Sequence, residues 1–160
     1  MLVGAAALAI RGLSRGTHDV DFMTLDPGVL QLDWSEDLSG DTVIEPRLDD
    51  LDDPLAGVVT FSREGSTDVD LVVARWKWQQ QVIDRSEPTD LEVFTVRVPD
   101  VEDLVLLKIE AGGFLDQRDA AQLIEIHGPE VIGRVDRRVL DLPEPMQQAW
   151  QRVRDEILER

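Results

Sequence analysis

The sequence predicts an α+β domain, with a mixed or antiparallel sheet of about five strands flanked by helices and followed by a helical C-terminal tail. Between residues 19 and 98, several short segments alternate apolar and polar residues, which is the period of a half-buried strand. From residue 99 onward, apolar residues recur at helical spacing instead. Strands that precede a run of helices are typical of the α+β class.

The length of the chain favours a single domain. It has 160 residues, of which 42% are hydrophobic, and this is sufficient for a real core. We divide it into an α/β core over residues 1–98, where the strands fall, and a helical part over residues 99–160. The helical part is expected to pack on the core, so that both form one compact unit.

The chain begins with a strand end, a turn and a short helix. In "MLVGAAALAIRGL", Gly4 permits a sharp turn, and the Ala-rich stretch after it favours a helix to about Leu13. The segment "HDVDFMTL" alternates and predicts the next strand. Residues 26–56 are rich in Asp, Pro and Gly and have weak apolar periodicity, so we predict a loop there with at most one short helix.

Three further strands are predicted in the middle of the chain. "GVVTFSR" and "DVDLVVARW" are consecutive strands, with Glu64-Gly65-Ser66 as the hairpin turn between them. "KWQQQVIDR" is predicted as a short helix or an irregular segment. "LEVFTVRV" alternates and ends at Pro99, which makes it the last strand.

Helices are predicted for the rest of the chain. The first, in "PDVEDLVLLKIEAGG", has Asp100 as its N-cap, Asp103 as the capping partner and a Gly-Gly stop. The second ends at Gly128, and the third begins with Pro129. The three helices after the first have the sequences "LDQRDAAQLIEIHG", "PEVIGRVDRRVLDL" and "PEPMQQAWQRVRDEILER".

Composition argues against several classes of protein. The formal net charge of −17 argues against general nucleic-acid binding, because such binding needs clustered Lys and Arg that contact phosphate. The absence of Cys excludes disulfides and thiolate metal sites. No apolar run approaches the ~18 residues that span a bilayer, and the apolar start lacks a basic segment and a cleavage site. We therefore expect a cytoplasmic protein with no membrane partner.

Two D-x-D triplets, Asp19/Asp21 and Asp68/Asp70, fall on predicted strands. Side chains alternate along a strand, so each triplet places two carboxylates on one face, which is unfavourable unless a cation lies between them. About three such triplets are expected by chance at this Asp content, and the chain has three, so only context gives them meaning. The third, at residues 50–52 in "LDDLDDP", is expected to be a solvated, charged loop.

The surroundings of Asp19 and Asp21 favour a metal–phosphate site. A Gly turn at the start of a helix offers backbone N–H groups and the positive end of the helix dipole to a phosphate. Two carboxylates on the adjacent strand suit Mg²⁺, which takes oxygen ligands from protein and substrate phosphates together. Asp70 on a neighbouring strand would complete the site, with Asp68 on the same face as the alternative. We therefore predict two Mg²⁺ ions, with Mn²⁺ as an alternative, that carry a nucleoside triphosphate.

The segment "GAAALAIRGLSRGTHDVDFMT" resembles the minimal bacterial branch of the nucleotidyltransferase superfamily, which includes DNA polymerase β-like enzymes. In that family a Gly-Ser or Gly-Gly turn precedes a D-x-D strand, and a third acid lies on a later strand. The resemblance implies the nucleotidyltransferase fold, with Asp19, Asp21 and Asp70 as catalytic residues and metal ligands. In this part of the chain, the residues that it assigns to nucleotide binding are Gly4, Ala5, Arg15 and Thr17.

A second segment, "VPDVEDLVLLKIEAGGFLDQRDAAQL", is similar to the AbiEii/AbiGii-type toxin branch, where a Lys on one helix is followed by an Arg-Asp on the next. The corresponding residues are Lys108, Arg118 and Asp119, and the resemblance adds Lys108 and Asp119 to the nucleotide site. It implies Mg²⁺-dependent transfer of a nucleoside monophosphate from a triphosphate, with ATP among the candidates, to a hydroxyl. The enzyme would be the toxin of a toxin–antitoxin pair, with tRNA or a protein as acceptor and an antitoxin as partner.

Two departures from the family pattern favour an alternative function. Ala5 stands where the family has Ser or a second Gly, so it offers an N–H but no hydroxyl to a phosphate. The chain also begins almost inside the first strand, where relatives carry a preceding helix. The alternative is a catalytically degenerate nucleotidyltransferase fold that serves as a binding or interaction module.

The sequence leaves more than one role open for several side chains. Lys108 could contact phosphate or run its aliphatic part along the core. Asp119 could orient Lys108, act on the substrate or pair with a neighbouring Arg. Trp76 and Trp78 could stack on a base, although packing in the core or at an edge is the more common role of such residues. His18 adjoins the acids and is expected to be a loop residue.

Overall fold

The computed structural model describes residues 1–34, 38, 41–48 and 55–159. Over these residues the chain has the predicted α+β class, with a 3₁₀ helix at Pro27–Gln31 in addition to its strands and α-helices. The strands are β1 (Asp19–Thr24), β2 (Val43–Leu48), β3 (Leu55–Ser62), β4 (Asp68–Ala74), β5 (Glu87–Leu91) and β6 (Phe94–Val98). The helices are α1 (Gly4–Ile10), α2 (Lys77–Arg85), α3 (Val101–Ala111), α4 (Phe114–His127), α5 (Glu130–Val139) and α6 (Glu144–Leu158).

Four of the strands form one mixed sheet in the order β1-β4-β3-β2. β1 runs parallel to β4, whereas β4, β3 and β2 are antiparallel neighbours. The parallel pair aligns Asp19 with Asp68 and Asp21 with Asp70. The two D-x-D triplets therefore lie side by side on adjacent strands. β5 and β6 form a separate antiparallel pair.

β2 and β5 differ from the sequence prediction. β2 lies in the segment for which the sequence predicts a loop, because it is an edge strand whose side chains are nearly all exposed and so carry no apolar periodicity. β5 ends at Leu91, where the sequence predicts that a strand begins, and Glu92 turns the chain with a φ of 49°. The 3₁₀ helix is the one short helix allowed for residues 26–56. The acidic triplet at residues 50–52 lies outside the described residues.

α3 begins and ends as predicted. Oδ1 of Asp100 accepts a hydrogen bond from the backbone N–H of Asp103 at 2.9 Å, and Gly112 closes the helix with a φ of 68°. The carboxylate of Asp103 is buried and accepts two hydrogen bonds from Arg85, at 2.9 and 2.7 Å. This pairing ties α2 to the start of α3.

One apolar core joins the first part of the chain to the C-terminal helices. It includes Leu8 of α1, Val98 of β6 and Trp150 of α6, all of them buried. α3 packs against α4, α5 and α6 in this core. On the sheet side, Leu107 of α3 packs against a smaller cluster that contains Met23 of β1. The core therefore holds α3 directly over the sheet. None of the helices in the described ranges is long and apolar enough to cross a bilayer.

Candidate metal centre

The parallel pairing of β1 with β4 brings three predicted site residues together. Asp19, Asp21 and Asp70 each offer a carboxylate oxygen, and these three oxygens lie within 4.8 Å of one another. All three residues are half-buried. Asp68, the alternative third acid, is aligned with Asp19 but does not join the group, judged over the described residues. The arrangement is that of a site for a cation with oxygen ligands.

Two threonine hydroxyls orient carboxylates of this cluster. The hydroxyl of Thr60 on β3 donates to Oδ1 of Asp70 at 2.6 Å, since the β3–β4 register places these residues opposite each other. The hydroxyl of Thr17 donates to the carboxylate of Asp19. Thr17 was expected at the nucleotide, and its observed contact is with an acid; Thr60 belongs to no sequence motif. Each hydrogen bond uses one oxygen and leaves the other available to a cation.

Gly4 is where the turn before α1 meets the acidic cluster. Its φ is +61°, a conformation that L side chains rarely adopt. A Cβ built on Gly4 would lie 1.8 Å from Oδ2 of Asp21. The glycine is therefore required both by the backbone conformation and by the carboxylate beside it. The following residue, Ala5, is buried in α1, and the contact of both with a phosphate stays a prediction.

The electrostatics of the cluster oppose three ionised carboxylates. Burial raises the pKa of Asp21, and the charges of Asp19 and Asp70 raise it further. The positive charges of Lys108 and Arg15 act in the opposite direction on the same pKa. Like charges at this separation are relieved by a cation between them. The cluster is therefore better suited to hold a divalent cation than to stand alone as a fully charged group.

Lys108 of α3 and Arg15 of the loop before β1 both pair with Asp119 of α4. Nζ of Lys108 lies 3.3 Å from Oδ2 of Asp119, and Nε of Arg15 lies 3.1 Å from the same oxygen. Lys108 also donates to Oδ1 of Asp116 at 2.7 Å. Asp119 thus meets two of its proposed partners at once, Lys108 and a neighbouring Arg. Asp116 was not singled out in the sequence; its position in the first turn of α4, three residues before Asp119, puts both acids on one helix face.

A cavity of about 230 Å³ opens beside the acidic cluster, between the sheet and α3. Asp21, Gly4 and Lys108 line it together with apolar side chains. Lys108 is nearly buried, with 11% of its side chain exposed, and its ammonium group pairs with Asp116 and Asp119 of α4. The remaining lining residues are Val3, Met23, Leu55, Val72, Leu104, Leu107, Glu110 and Ala111.

Other residues that the sequence singled out lie elsewhere. Arg118 lines two other cavities, both of which α4 and α6 border. Trp76 and Trp78 line a separate cavity of about 340 Å³, where Trp78 is buried and Trp76 is 43% exposed. His18 is an exposed residue of the loop before β1. Of these four residues only His18 could ligate a cation, and over the described residues it does not belong to the acidic cluster.

Comparisons with known proteins give structural neighbours only. No family model and no curated protein matches the chain. The chain is similar to an H. pylori protein described as a candidate nucleotidyltransferase, at 13% identity and a TM-score of 0.47, over 99% of this chain and 88% of that one. It is also similar to an antigenic nucleotidyltransferase-like protein from Paracoccidioides brasiliensis, at 17% identity and a TM-score of 0.45, over 94% of this chain and 83% of that one. Both TM-scores are below 0.5, so the assignment of the site rests on this chain's own carboxylates.

Proposed function

We propose that the protein is a nucleotidyltransferase that depends on divalent cations and moves a nucleoside monophosphate from a triphosphate to a hydroxyl acceptor, with release of pyrophosphate and of the hydroxyl proton. The observation that carries this proposal is the convergence of one oxygen each from Asp19, Asp21 and Asp70 within 4.8 Å. The β1–β4 register places Asp70 beside Asp21, so the fold holds these like charges together, and a cation between them would relieve their repulsion.

The donor set fits Mg²⁺ or Mn²⁺. Carboxylate oxygens are the ligands that these hard cations prefer, and Asp19, Asp21 and Asp70 supply them. The raised pKa of Asp21 reflects burial and the repulsion that a cation would remove. When bound, two such ions would neutralise phosphate charge and favour the ionised form of the acceptor hydroxyl. The Thr60–Asp70 and Thr17–Asp19 hydrogen bonds hold the ligands in place before the ions arrive.

The chain's own residues would supply positioning and charge. Asp70 would accept the proton of the attacking hydroxyl, since its carboxylate is fixed by Thr60 at the edge of the cluster. Lys108 and Arg15 bring two positive charges close enough to Asp21 to oppose the rise of its pKa. Both would contact the triphosphate. Gly4 would let the triphosphate approach the backbone of α1 closely. Displacement at a phosphorus needs alignment of the two reacting oxygens, which such a fixed set provides.

The biological role goes beyond this chemistry. A toxin of a toxin–antitoxin pair, with tRNA or a protein as acceptor and an antitoxin as partner, rests on the sequence resemblance alone and stays a prediction. The cytoplasmic location stays a prediction as well.

A catalytically degenerate binding module is the second candidate function. The specific observation in its favour is Ala5, which is buried in α1 and has no hydroxyl to offer a phosphate. This candidate keeps cation and nucleotide binding but predicts no transfer.

One experiment separates the two candidates. Calorimetry would measure the binding of each nucleoside triphosphate with Mg²⁺ or Mn²⁺ and again with excess chelator. The same samples, given an α-labelled triphosphate with RNA and protein acceptors, would be assayed for label transfer. Binding that needs metal, together with transfer, supports the enzyme; binding that needs metal without transfer supports the degenerate module. Equal binding in chelator contradicts both.

A further inference from the structure

The cavity beside the acidic cluster continues the same face of the sheet. Side chains two residues apart point to one face, so Met23 follows Asp21 on β1 and Val72 follows Asp70 on β4, each at roughly 7 Å along the strand. Asp21, Met23 and Val72 all line the cavity, which confirms that they share this face. The acids thus lie at one end of the cleft. The next side chains along the same face of the sheet, Met23 and Val72, are apolar.

The walls of this cleft suit the nucleoside part of a nucleotide. α3 contributes Leu104 and Leu107, and β3 contributes Leu55, so most of the lining beyond the acids is apolar. Lys108, also in the lining, provides the positive charge at the acidic end. A flat heteroaromatic ring gains free energy by leaving water for such a lining, whereas a phosphate would lose it.

Glu110, in the last turn of α3 two residues after Lys108, is a further polar residue that lines the same cavity. Its Oε2 accepts a hydrogen bond of 2.7 Å from Nε2 of Gln79, which is fully buried. Oε1 of Gln79 in turn accepts the backbone N–H of Trp76 at 2.7 Å. The amide of Gln79 is therefore fixed at both ends, and the carboxyl of Glu110 is held by it.

The other oxygen of Glu110 has no partner. Oε1 is buried and makes no hydrogen bond within the part of the chain that the structure describes. A buried polar atom without a hydrogen bond costs free energy that a ligand can recover. Because Gln79 holds Oε2 and leaves Oε1 unpaired, Oε1 is the oxygen of Glu110 that remains for a ligand in the cavity.

We propose that this cavity holds the nucleoside of the triphosphate and that Glu110 hydrogen-bonds the edge of its base through Oε1. The proposal rests on the proposed function, since it takes the acids and Lys108 as the place of the phosphates. It makes Glu110 a residue that determines which base is bound. Gln79 is a positioning residue, because it acts on the base only through Glu110.

The protonation state of Glu110 indicates which base edge it fits. Burial raises the pKa of Glu110 to about 8, against the hydrogen bond from Gln79, which lowers it. The carboxyl is therefore mostly neutral at pH 7, and a neutral carboxyl donates a hydrogen bond. A donor fits adenine and cytosine, whose Watson–Crick edges carry an unprotonated ring nitrogen. Guanine and uracil carry an N–H at that position, so the donor can pair only with a neighbouring carbonyl oxygen and faces the N–H as a second donor.

The cavity with Trp76 and Trp78 is a poorer place for this base, although Glu110 lines it too. Trp76 lies six residues after Asp70, so an extended chain puts it roughly 20 Å away, at ~3.3 Å per residue. A base attached to a phosphate at the acids reaches Val72 easily and Trp76 only with difficulty. The nearer cavity is therefore the one to which we assign the base.

The test compares nucleotides with inorganic tripolyphosphate, which has no base. Calorimetry at pH 7 with Mg²⁺ or Mn²⁺ would measure the four nucleoside triphosphates and tripolyphosphate on the whole chain. We expect ATP and CTP to bind roughly tenfold or more tightly than tripolyphosphate, with GTP and UTP in between or equal to it. Glu110→Leu should bring ATP and CTP to the level of GTP and UTP, because the apolar lining still holds the nucleoside but the group that distinguishes the base edges is gone. Glu110→Gln should keep most of the preference, because its amide still accepts from Gln79 and still has a donor.

The controls separate this inference from the proposed function. Tripolyphosphate affinity should be the same in wild type and both Glu110 variants, which also shows that the variants fold. Glu87→Leu, at an exposed position of β5, should leave every affinity unchanged. If Glu110→Leu binds ATP and CTP as wild type does, or if no nucleotide binds better than tripolyphosphate, the base assignment is wrong while the metal-dependent triphosphate site stands. If tripolyphosphate does not bind even with metal, the proposed function fails and this inference fails with it.

Discussion

The carboxylate of Asp21 fills the space that a side chain at Gly4 would need, because a Cβ on Gly4 would lie 1.8 Å from Oδ2 of Asp21. The backbone at Gly4 thus packs directly on the side chain of Asp21, with no side chain of its own in between. Gly4 and Asp21 also line the same cavity, so the start of α1 and one acid of the cluster border a common cleft.

Gly4→Ala is expected to lower both stability and cation affinity. The substitution adds strain at a φ of +61° and a clash with Asp21, so the carboxylate must move. We expect a loss of about 2–4 kcal/mol in the free energy of unfolding and a clear loss of Mn²⁺ affinity. Chemical denaturation and a Mn²⁺ titration would measure these quantities.

Gly65→Ala is the matched control. Gly65 has a φ of +74° but open space around its Cβ position, so it reports the backbone strain without the clash. Its cost should be about 1–2 kcal/mol, and its Mn²⁺ affinity should be that of wild type. A Gly4→Ala variant that behaves like Gly65→Ala would contradict the close packing of Gly4 on Asp21.

Asp21→Asn should leave the metal-free protein as stable as wild type or more stable. It should also abolish the rise in melting temperature that Mg²⁺ causes in the wild type. The folded-state pKa of Asp21 is raised above its unfolded value, so its contribution to stability is full below the unfolded pKa and is lost as pH rises through the folded pKa. At pH 7 the ionised group is therefore unfavourable in the metal-free protein. Melting temperatures in chelator and in excess Mg²⁺ would show both effects.

Asp68→Asn serves as the control for Asp21→Asn. Asp68 lies on β4 in the same sheet but outside the acidic cluster. Wild type and Asp68→Asn should both gain stability from saturating metal, by about 2.7 kcal/mol at one hundred times the Kd. A marked fall in melting temperature for Asp21→Asn in chelator would identify Asp21 as a structural residue instead.

Glu110 should make the protein less stable as pH rises from about 5 to about 8. Its folded-state pKa is raised to about 8 from an ordinary value of 4.5, mainly by burial. Its contribution is therefore full below the unfolded pKa and is lost between these two values. Each unit of difference corresponds to about 1.4 kcal/mol, so the total loss is on the order of a few kcal/mol.

Comparison of wild type with Glu110→Gln isolates this effect from the other acids. The variant should show a flatter dependence of unfolding free energy on pH between about 5 and 8, measured by urea denaturation, because it cannot ionise. Glu125→Gln, at an exposed position of α4, should keep the wild-type slope. Identical slopes for wild type and Glu110→Gln would mean that Glu110 ionises normally.

The sequence predicts the class of the fold and the face of the sheet that carries the acids, because both follow from periodicity. Alternation alone puts Asp19 with Asp21 on one face. It cannot say that β1 pairs with β4, since strand pairing is decided by the packing of the whole chain. For that reason the choice between Asp68 and Asp70 stayed open in the sequence, and the observed geometry favours Asp70.

The residues missed by sequence reasoning act through tertiary contacts. Thr60 meets Asp70 only because of the β3–β4 register, and Asp116 meets Lys108 only because α3 and α4 pack side by side. β2 carries no apolar period because it is an exposed edge, so its pattern could not be distinguished from a loop. The signal that could have found Thr60 is the preference of β-branched hydroxyl residues for strands, which is too common to single out one position.

Thr60→Val tests whether the threonine holds a metal ligand. Valine keeps the shape and the strand preference of threonine but loses the hydroxyl, so Oδ1 of Asp70 loses its 2.6 Å hydrogen bond. Residues that orient metal ligands typically change affinity by ten- to a hundredfold, and we expect Mn²⁺ affinity to fall by about tenfold with the melting temperature little changed. Thr95→Val is the control, because Thr95 donates to Oδ1 of Asp90 at 2.5 Å in the β5–β6 pair, away from the acids. Titration with Mn²⁺ would measure the affinity of both variants. A similar affinity for the two would mean that the carboxylate of Asp70 does not depend on Thr60. Its position in the cluster would then be set by the β1–β4 register alone.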